Sequence, residues 1–396
     1  MAAAVAPMLS LLVAALLFAV HAGVAAPDAN QRESARHGGA ADLLALIESP
    51  PLGLPAVPVP HGNPPTRAGI DLGRKLFFDR RLSFNRTLSC AMCHVPEQGF
   101  TQREVRTPVG IEGRFVKRNA PTLLNVAYRR SLFHDGREST LENQVWAPLL
   151  RDNEMGNPSI GFVLQTLREA GDYRGLFEKA FADGLTAANV GRALASYQRG
   201  LLAADSAFDR WHYGGEEGAL GEPARRGWKL FQRLGCIGCH AAGDSDAQFS
   251  DGNYYDTGIG FARSMGPARV PERIHLAPGV QVRPRVGFAS PRFNDLGRYE
   301  ATGQSADRWL YRVPTLRNVA LTAPYMHDGS FPDLAAVVAY YDRGGVEHPG
   351  LDPRIRPLDL DEGERADLVA FLESLTGSGV DALVRDARSE PIGDTR

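Results

Sequence analysis

Cys90-Ala91-Met92-Cys93-His94 and Cys236-Ile237-Gly238-Cys239-His240 share the pattern C-x-x-C-H, and together they use all four cysteines of the 396-residue chain. This spacing lets two thiols bond to the two vinyl groups of one heme while the adjacent histidine reaches the iron from the proximal side. A pair of disulfides in an exported protein and a zinc site are the competing readings. The zinc reading fails on ligand number, because each motif lies in its own half of the chain with too few donors. Two covalently bound c-type hemes are therefore expected. Cys90, Cys93, Cys236 and Cys239 would attach them, with His94 and His240 on the irons.

The sequence around the motifs is duplicated. Residues 121–145 laid over 314–338, an offset of 193, match at 11 of 25 positions without a gap. The matches include Pro121/Pro314, Thr122/Thr315, Asn125/Asn318 and His134-Asp135-Gly136 with His327-Asp328-Gly329. A second echo precedes each motif, in Gly73-Arg74-Lys75-Leu76-Phe77 and Gly227-Trp228-Lys229-Leu230-Phe231. Each half reads as helix, C-x-x-C-H, long loop, P-T-L-x-N-V-A segment, H-D-G turn and second helix. The apolar spacing near three to four residues, as in Leu334, Val337, Val338 and Tyr341, is helical. Nothing reads as a long alternating strand. The expected fold class is mainly α: two cytochrome c-like helical domains, each with one covalently bound c-type heme. Their expected spans are 66–212 and 213–380, after a Pro-rich extended lead-in at 27–65 and before a loose tail at 381–396.

Lys plus Arg is 44 against 46 for Asp plus Glu, so no excess of basic residues is available to neutralise the phosphates of a nucleic acid. Residues 1–26 contain no charged side chain, and their apolar run ends in small residues, Ala22-Gly23-Val24-Ala25-Ala26. The run is shorter than the roughly 20 residues needed to span a bilayer. It reads as a secretory signal peptide cleaved near Ala26. No other stretch is long and apolar enough to cross a membrane, so the expected location is the periplasm.

The repeat register distinguishes the two hemes. At the same offset Tyr341 falls opposite Pro148. Tyrosine can present an oxygen to heme iron, and proline cannot. Equivalent folding of the halves would close the second heme with Tyr341 and leave the first open on the side of Pro148. That is the layout of a peroxidase with an attached relay heme. An ordinary helix-face aromatic is the alternative for Tyr341, and Met265 and Met326 are rival ligands. Tyr340 points about 100° away on a helix, so both tyrosines cannot ligate. Cleaving peroxide also requires a proton shuttle. Glu154 follows Pro148 closely and Gln144 lies one turn before it. A carboxylate in a partly apolar pocket would have its pKa raised by desolvation, whereas a solvated loop glutamate would not. His134 and His327, at equivalent repeat positions, suggest a shared structural role in the H-D-G turn. The loop at 244–260 lacks a calcium-binding register and reads as surface.

These motifs together resemble the bacterial di-heme cytochrome c peroxidase family across nearly the whole chain after residue 26. The resemblance rests on both C-x-x-C-H sites, Arg118-Asn119-Ala120-Pro121-Thr122, His134-Asp135-Gly136-Arg137, Gln144 with Glu154, and the run from Val313 through Gly329. It implies peroxide chemistry at the N-terminal heme, electron storage or transfer at the C-terminal one, and Glu154 as acid/base with Gln144 beside it. It also implies a calcium ion held by Asn119 and by the backbone carbonyls of Thr322 and Pro324. Three positions narrow the resemblance. Ordinary members carry Met where this chain has Tyr341, and the loop His that blocks the first heme in many of them is Ile111 here. Both features look like the MauG branch, whose members oxidise residues of another protein. The third departs from it, because the usual inter-heme tryptophan is His134 and the branch's surface tryptophan is Leu234, leaving Trp228 or Trp309 for any relay. MbnH-like members, which oxidise a tryptophan of a copper-binding partner, offer the nearest analogy. Three functions are thus in competition. One is a MauG-like peroxidase oxidising an exported partner protein with hydrogen peroxide. The second is a detoxifying peroxidase fed by a small cytochrome or copper protein. The third is a di-heme electron carrier.

Overall fold

The helices that organise the protein are α1 (Leu43–Glu48), α2 (Arg67–Phe78), α3 (Leu141–Gln144), α4 (Trp146–Leu150), α5 (Ala187–Arg199), α6 (Ala207–His212), α7 (Glu222–Arg233), α8 (Leu334–Asp342), α9 (Glu362–Glu373) and α10 (Val380–Ala387). The structure is a computed structural model and describes residues 39–265, 274–277, 280–282 and 294–391. The signal peptide expected at 1–26 lies outside the described residues. Among the described residues no helix is long and apolar enough to cross a membrane.

Local chemistry sets the helix ends. Thr66 caps α2 by accepting from the Gly69 amide, and Asp361 and Glu364 form a reciprocal capping box at α9. Pro223 lies in the first turn of α7, where its missing N–H removes no helical bond, and Arg233 complements the dipole in its last turn. In each half the helix before the C-x-x-C-H motif crosses a later one at a glycine. A Cβ built on Gly73 of α2 would collide with the carbonyl oxygen of Ala193 in α5 and lie 2.9 Å from Tyr197 Cβ. One on Gly227 of α7 would collide with the carbonyl of Asp367 in α9 and lie 2.8 Å from Phe371 Cβ. The sequence echo ahead of each motif is therefore a packing requirement.

Two apolar clusters follow from these crossings. The first gathers Leu76, Phe77, Phe78, Leu194 and Tyr197, and the second gathers Phe208, Trp228, Phe231, Phe249 and Phe371. They change over between Ala203 and Phe208, so α6 belongs to the second cluster and not to a first domain ending at 212. At this joint the Ala203 carbonyl accepts from both Asn125 Nδ2 (2.8 Å) and Asn318 Nδ2 (3.1 Å). Both asparagines adopt left-handed backbone, φ 58° and 60°, which asparagine tolerates better than most residues. The N-V-A segments of the two repeats thus converge on one linker oxygen.

Both ends of the described chain correct the sequence expectations. The lead-in contains α1, whose Leu43 and Ile47 are buried in the first cluster. The tail expected to be loose from 381 is ordered as α10, with Leu383 and Ala387 fully buried in that cluster. Arg74 Nη1 holds Asp386 at 3.0 Å, and Ala41 donates its amide to the Ala382 carbonyl at 3.0 Å. Val380, Leu383, Val384 and Ala387 recur at helical spacing and give this helix one apolar face, a pattern that the charged residues between them mask in the sequence. Strands are short, as expected. β1 (Tyr254–Tyr255) pairs antiparallel with β4 (Tyr311–Arg312), and β2 (Ile274–Ala277) with β3 (Val280–Val282).

Gly73→Ala and Gly227→Ala test the crossings. Alanine improves helix propensity by about 1 kcal/mol, whereas overpacking costs roughly 1–3 kcal/mol. Both variants are expected to lower the thermal midpoint. A raised midpoint would show that the helices do not meet as described.

Candidate active site

Each C-x-x-C-H motif forms a short tight turn, Cys90–Met92 and Cys236–Gly238, and the four thiols are unpaired. His94 Nδ1–H donates to the Phe100 carbonyl at 3.1 Å, and His240 Nδ1–H donates to the Phe249 carbonyl at 2.9 Å. The Nδ1 bond fixes the tautomer, so each ring offers the Nε2 lone pair to a metal. Burial lowers the pKa of His94 to about 4 and that of His240 in the same direction, which keeps both rings neutral as ligands must be. Phe100 and Phe249 take left-handed backbone to aim these carbonyls, with φ 54° and 49°. Thr122 Oγ1 donates to the Gly99 carbonyl (2.5 Å) and Thr315 Oγ1 to the Gln248 carbonyl (2.6 Å), one residue earlier in each loop. The duplicated Pro-Thr pairs therefore brace the loops that orient the two histidines.

A cavity of about 460 Å³ opens on the first motif, lined by Cys90, Cys93 and His94 together with Gln144, Pro148 and Glu154. The structure thus brings together the N-terminal residues singled out in the sequence. Thr140 and Asp333, at equivalent repeat positions, cap α3 and α8, so the offset of 193 carries into the structure. Pro148 removes a helical N–H and crowds the carbonyl four residues back, that of Gln144, and the helix breaks there into α3 and α4. Glu154 sits in the following turn, where Met155 donates its amide to the Pro148 carbonyl at 3.0 Å and Ile111 donates to the Glu154 carbonyl at 2.9 Å. Ile111 packs its side chain against Gly156 and brings no ligand nitrogen. Burial pushes the Glu154 carboxyl above its ordinary value, opposed by the charges of Arg151 and Arg137. Arg137 is positioned by Asp135 (2.9 Å) and stacks over Phe133 at 3.5 Å. The D-G-R triplet therefore places a cation near Glu154.

In the second half Tyr340 and Tyr341 separate as helix geometry requires. Tyr340 spends its hydroxyl on the Thr257 carbonyl at 2.5 Å and packs on Phe331. The Tyr341 hydroxyl makes no hydrogen bond among the described residues and lies within electrostatic reach of Cys236 and Cys239. Met265, the rival ligand, is 63% exposed. His134 donates Nε2–H to the Asn119 carbonyl at 2.9 Å, while His327 stacks on Tyr311 with ring centroids 3.6 Å apart.

Asn119 lies between the halves, its amide donating to the His327 carbonyl at 2.7 Å. Its Nδ2 donates to the Arg106 carbonyl at 2.9 Å, which leaves Oδ1 as the free atom. The Thr322 hydroxyl donates to Val319 at 3.0 Å, and among the described residues the carbonyls of Thr322 and Pro324 accept no hydrogen bond. Three uncommitted oxygens suit a hard cation.

Sequence reasoning missed two arginines. Arg129 is half-buried in the wall of the first cavity, donates Nη2–H to the Thr122 carbonyl at 2.7 Å, and has a buried Nε that finds no partner among the described residues. Burial and the charge of Arg312 lower its pKa to about 9. Among the described residues neither Arg129 nor Arg312 has a carboxylate partner. Buried cations without counter-ions mark a place for an anionic group, and the two propionates of a heme are such groups. Only their burial, invisible in sequence, distinguishes them from the chain's other arginines.

A family model described as di-haem cytochrome c peroxidase matches residues 67–217. The chain is 34% identical over 357 residues to the methylamine utilization protein MauG of Methylorubrum extorquens, covering 89% of this chain and 88% of that one. It is 35% identical over 333 residues to the cytochrome-c peroxidase IdrP1 of Denitromonas iodatirespirans, covering 83% and 86%. Among solved structures, a MauG-like protein associated with microbial copper homeostasis shares 31% identity with a TM-score of 0.67, covering 83% of this chain and 94% of that one.

Arg129→Met removes a buried positive charge beside the first cavity and is expected to lower the reduction potential of a heme bound there. Coulomb's law at an effective dielectric of about 20 puts the effect on the order of 1–2 kcal/mol. A spectroelectrochemical titration measures it, and an unchanged potential would contradict the placement.

Proposed function

We propose that this chain, which belongs to the di-heme cytochrome c peroxidase family, is a MauG-like enzyme that uses hydrogen peroxide to oxidise a residue of a partner protein. Its membership makes it a di-heme peroxidase with an oxidoreductase activity. The observation that carries the finer reading is the asymmetry of one register position, Pro148 in the first cavity against Tyr341 beside Cys236 and Cys239 in the second half.

Cys90 and Cys93 would hold the first heme covalently and Cys236 and Cys239 the second, with His94 and His240 as the residues that would bind the irons. The hemes, when bound, would supply the redox chemistry of the reaction with peroxide. Pro148 and Ile111 bring no ligand atom to the first cavity, which would leave room for peroxide there. Glu154 takes a proton from the near oxygen and returns it to the departing one. Gln144, which lines the same cavity, would orient the peroxide. Arg151 and Arg137 oppose the rise that burial imposes on the Glu154 carboxyl. Tyr341 would close the second heme. Its oxygen is a hard donor that favours the higher oxidation states of iron, whereas a thioether favours the ferrous state. Such a site collects electrons poorly from a small donor and shares oxidising equivalents well. Asn119 Oδ1 and the carbonyls of Thr322 and Pro324 would be the oxygen donors for one calcium ion. The chain is exported to the periplasm after cleavage near Ala26, and its partner protein is exported likewise.

The cytochrome-c peroxidase named among the relatives favours a second reading, peroxide removal fed by a small cytochrome or copper protein. Tyr341 argues against it on the grounds just given.

Glu154→Gln is expected to slow the reaction with hydrogen peroxide by about 10²–10⁴-fold in stopped-flow measurements. In the parent the rate should fall as pH drops through the raised pKa of Glu154, because the carboxylate must be ionised to accept the first proton. That limb should lie above the ordinary carboxylate range and be absent in the variant. A variant that keeps both rate and limb would remove Glu154 from the reaction.

A further inference from the structure

The turn that carries Arg137 belongs to the first half but is held by the second. Arg312 donates its amide to the His134 carbonyl at 2.8 Å, and Arg298 Nη1 donates to the Asp135 carbonyl at 3.0 Å. Gly136, at φ 70°, lies against the Tyr254 hydroxyl, with which a Cβ would collide. The Asp135 carboxylate joins two guanidiniums, accepting from Arg118 Nη1 at 2.6 Å and from Arg137 Nη1 at 2.9 Å. Arg118 in turn reaches across to Asp295 with two bonds of 2.7 Å. Asp295, Arg118, Asp135 and Arg137 thus form a chain of alternating charge whose first three members are buried. It ends at the cavity that Arg137 lines together with Glu154. The equivalent turn of the second half is gripped from the first. Arg106 Nη2 donates to Asp328 Oδ2 at 3.0 Å, and a Cβ on Gly329 would collide with the Arg106 carbonyl. At the offset of 193, however, the place of Arg137 is taken by Ser330. Both turns lock the halves together, and only the first presents a cation.

We propose that Arg137 is a positioning residue for the peroxide reaction, acting through Glu154, and that the second half of the chain holds it in place by this chain of charges. This rests on Glu154 being the proton acceptor, as proposed above, and adds what governs that group. A carboxylate that must be ionised when peroxide arrives, in a cavity that disfavours charge, needs a cation at a fixed place. A long side chain left free loses that place among its many rotamers. Asp135 removes the freedom by bonding Arg137 Nη1 and, at 3.2 Å, the Arg137 amide, while the guanidinium stacks on Phe133. It can do so only while its other cation is neutralised from the second half. An Arg118 without Asp295 would draw the same carboxylate oxygens to itself. Of the other groups around Glu154, Arg151 lies 3.9 Å away on its own turn, and Cys90, Cys93 and His94 come from the motif. Lys117 and Glu300, which also line the cavity, are paired with each other.

The test follows the ionisation of Glu154 in the heme-loaded protein in two ways. Stopped-flow mixing with hydrogen peroxide gives the pH at which the rate falls. Infrared titration gives the pH at which the protonated-carboxyl band that Glu154→Gln lacks disappears. Arg137→Gln should move both upward by about one pH unit, since it removes a facing cation. Asp295→Asn should move them upward too, although it removes a negative charge and by charge alone would move them downward. Added to Arg137→Gln, Asp295→Asn should give no further upward shift, because it acts only through Arg137. Heme content and the ferric absorption spectrum report whether each variant folds. Arg137 is bonded within its own half, so Arg137→Gln keeps the test open should Asp295→Asn fail to fold. Unchanged pH values in Arg137→Gln would overturn the positioning role. A downward shift in Asp295→Asn, or the same shift with and without Arg137, would overturn the hold of the second half. A parent whose pH limb persists in Glu154→Gln would instead remove Glu154 itself from the reaction.

Discussion

An imidazole whose Nδ1 is bound to a backbone carbonyl presents Nε2 in one direction only, and both halves of this protein are arranged around that constraint. Phe100 and Phe249 supply the carbonyls from strained left-handed backbone. Thr122 and Thr315 brace the residue before each, and the asparagines three positions after those threonines close both segments on the Ala203 carbonyl. The glycine crossings at Gly73 and Gly227 let the long helices of each half pack closely on each other. The duplicated sequence thus encodes one device twice.

Function comes from where the copies differ. The same register position holds a residue that breaks a helix and donates nothing, Pro148, and one with an uncommitted hydroxyl, Tyr341. Beside the first stands a carboxyl made less acidic by burial and restrained by two arginines. Under the function proposed, this asymmetry between equivalent places would let one half meet a small oxidant while the other stays closed to it.

Much of this was legible in the sequence because it is local or periodic. The C-x-x-C-H pairs, the offset of 193 and a second helix after each H-D-G turn are read from spacing alone. The two orienting carbonyls were not. Phe100 lies six residues after its histidine and Phe249 nine after, so a gapless comparison cannot align them. Arg129 was equally hidden, since a buried guanidinium and an exposed one have the same letter. The C-terminal helix escaped notice although Val380, Leu383, Val384 and Ala387 keep helical spacing, because the charged residues among them look solvated. Asp386 in fact pairs with Arg74, and Leu383 completes a core begun some 300 residues earlier.

The claim on which the account turns is that one iron is open and the other is closed by Tyr341. The electron paramagnetic resonance spectrum of the ferric heme-loaded protein, beside that of Tyr341→Phe, tests it most directly. One high-spin signal and one low-spin signal, with only the low-spin signal altered in the variant, is the predicted result. Two low-spin signals that the variant leaves unchanged would contradict both the open site and the tyrosine ligand.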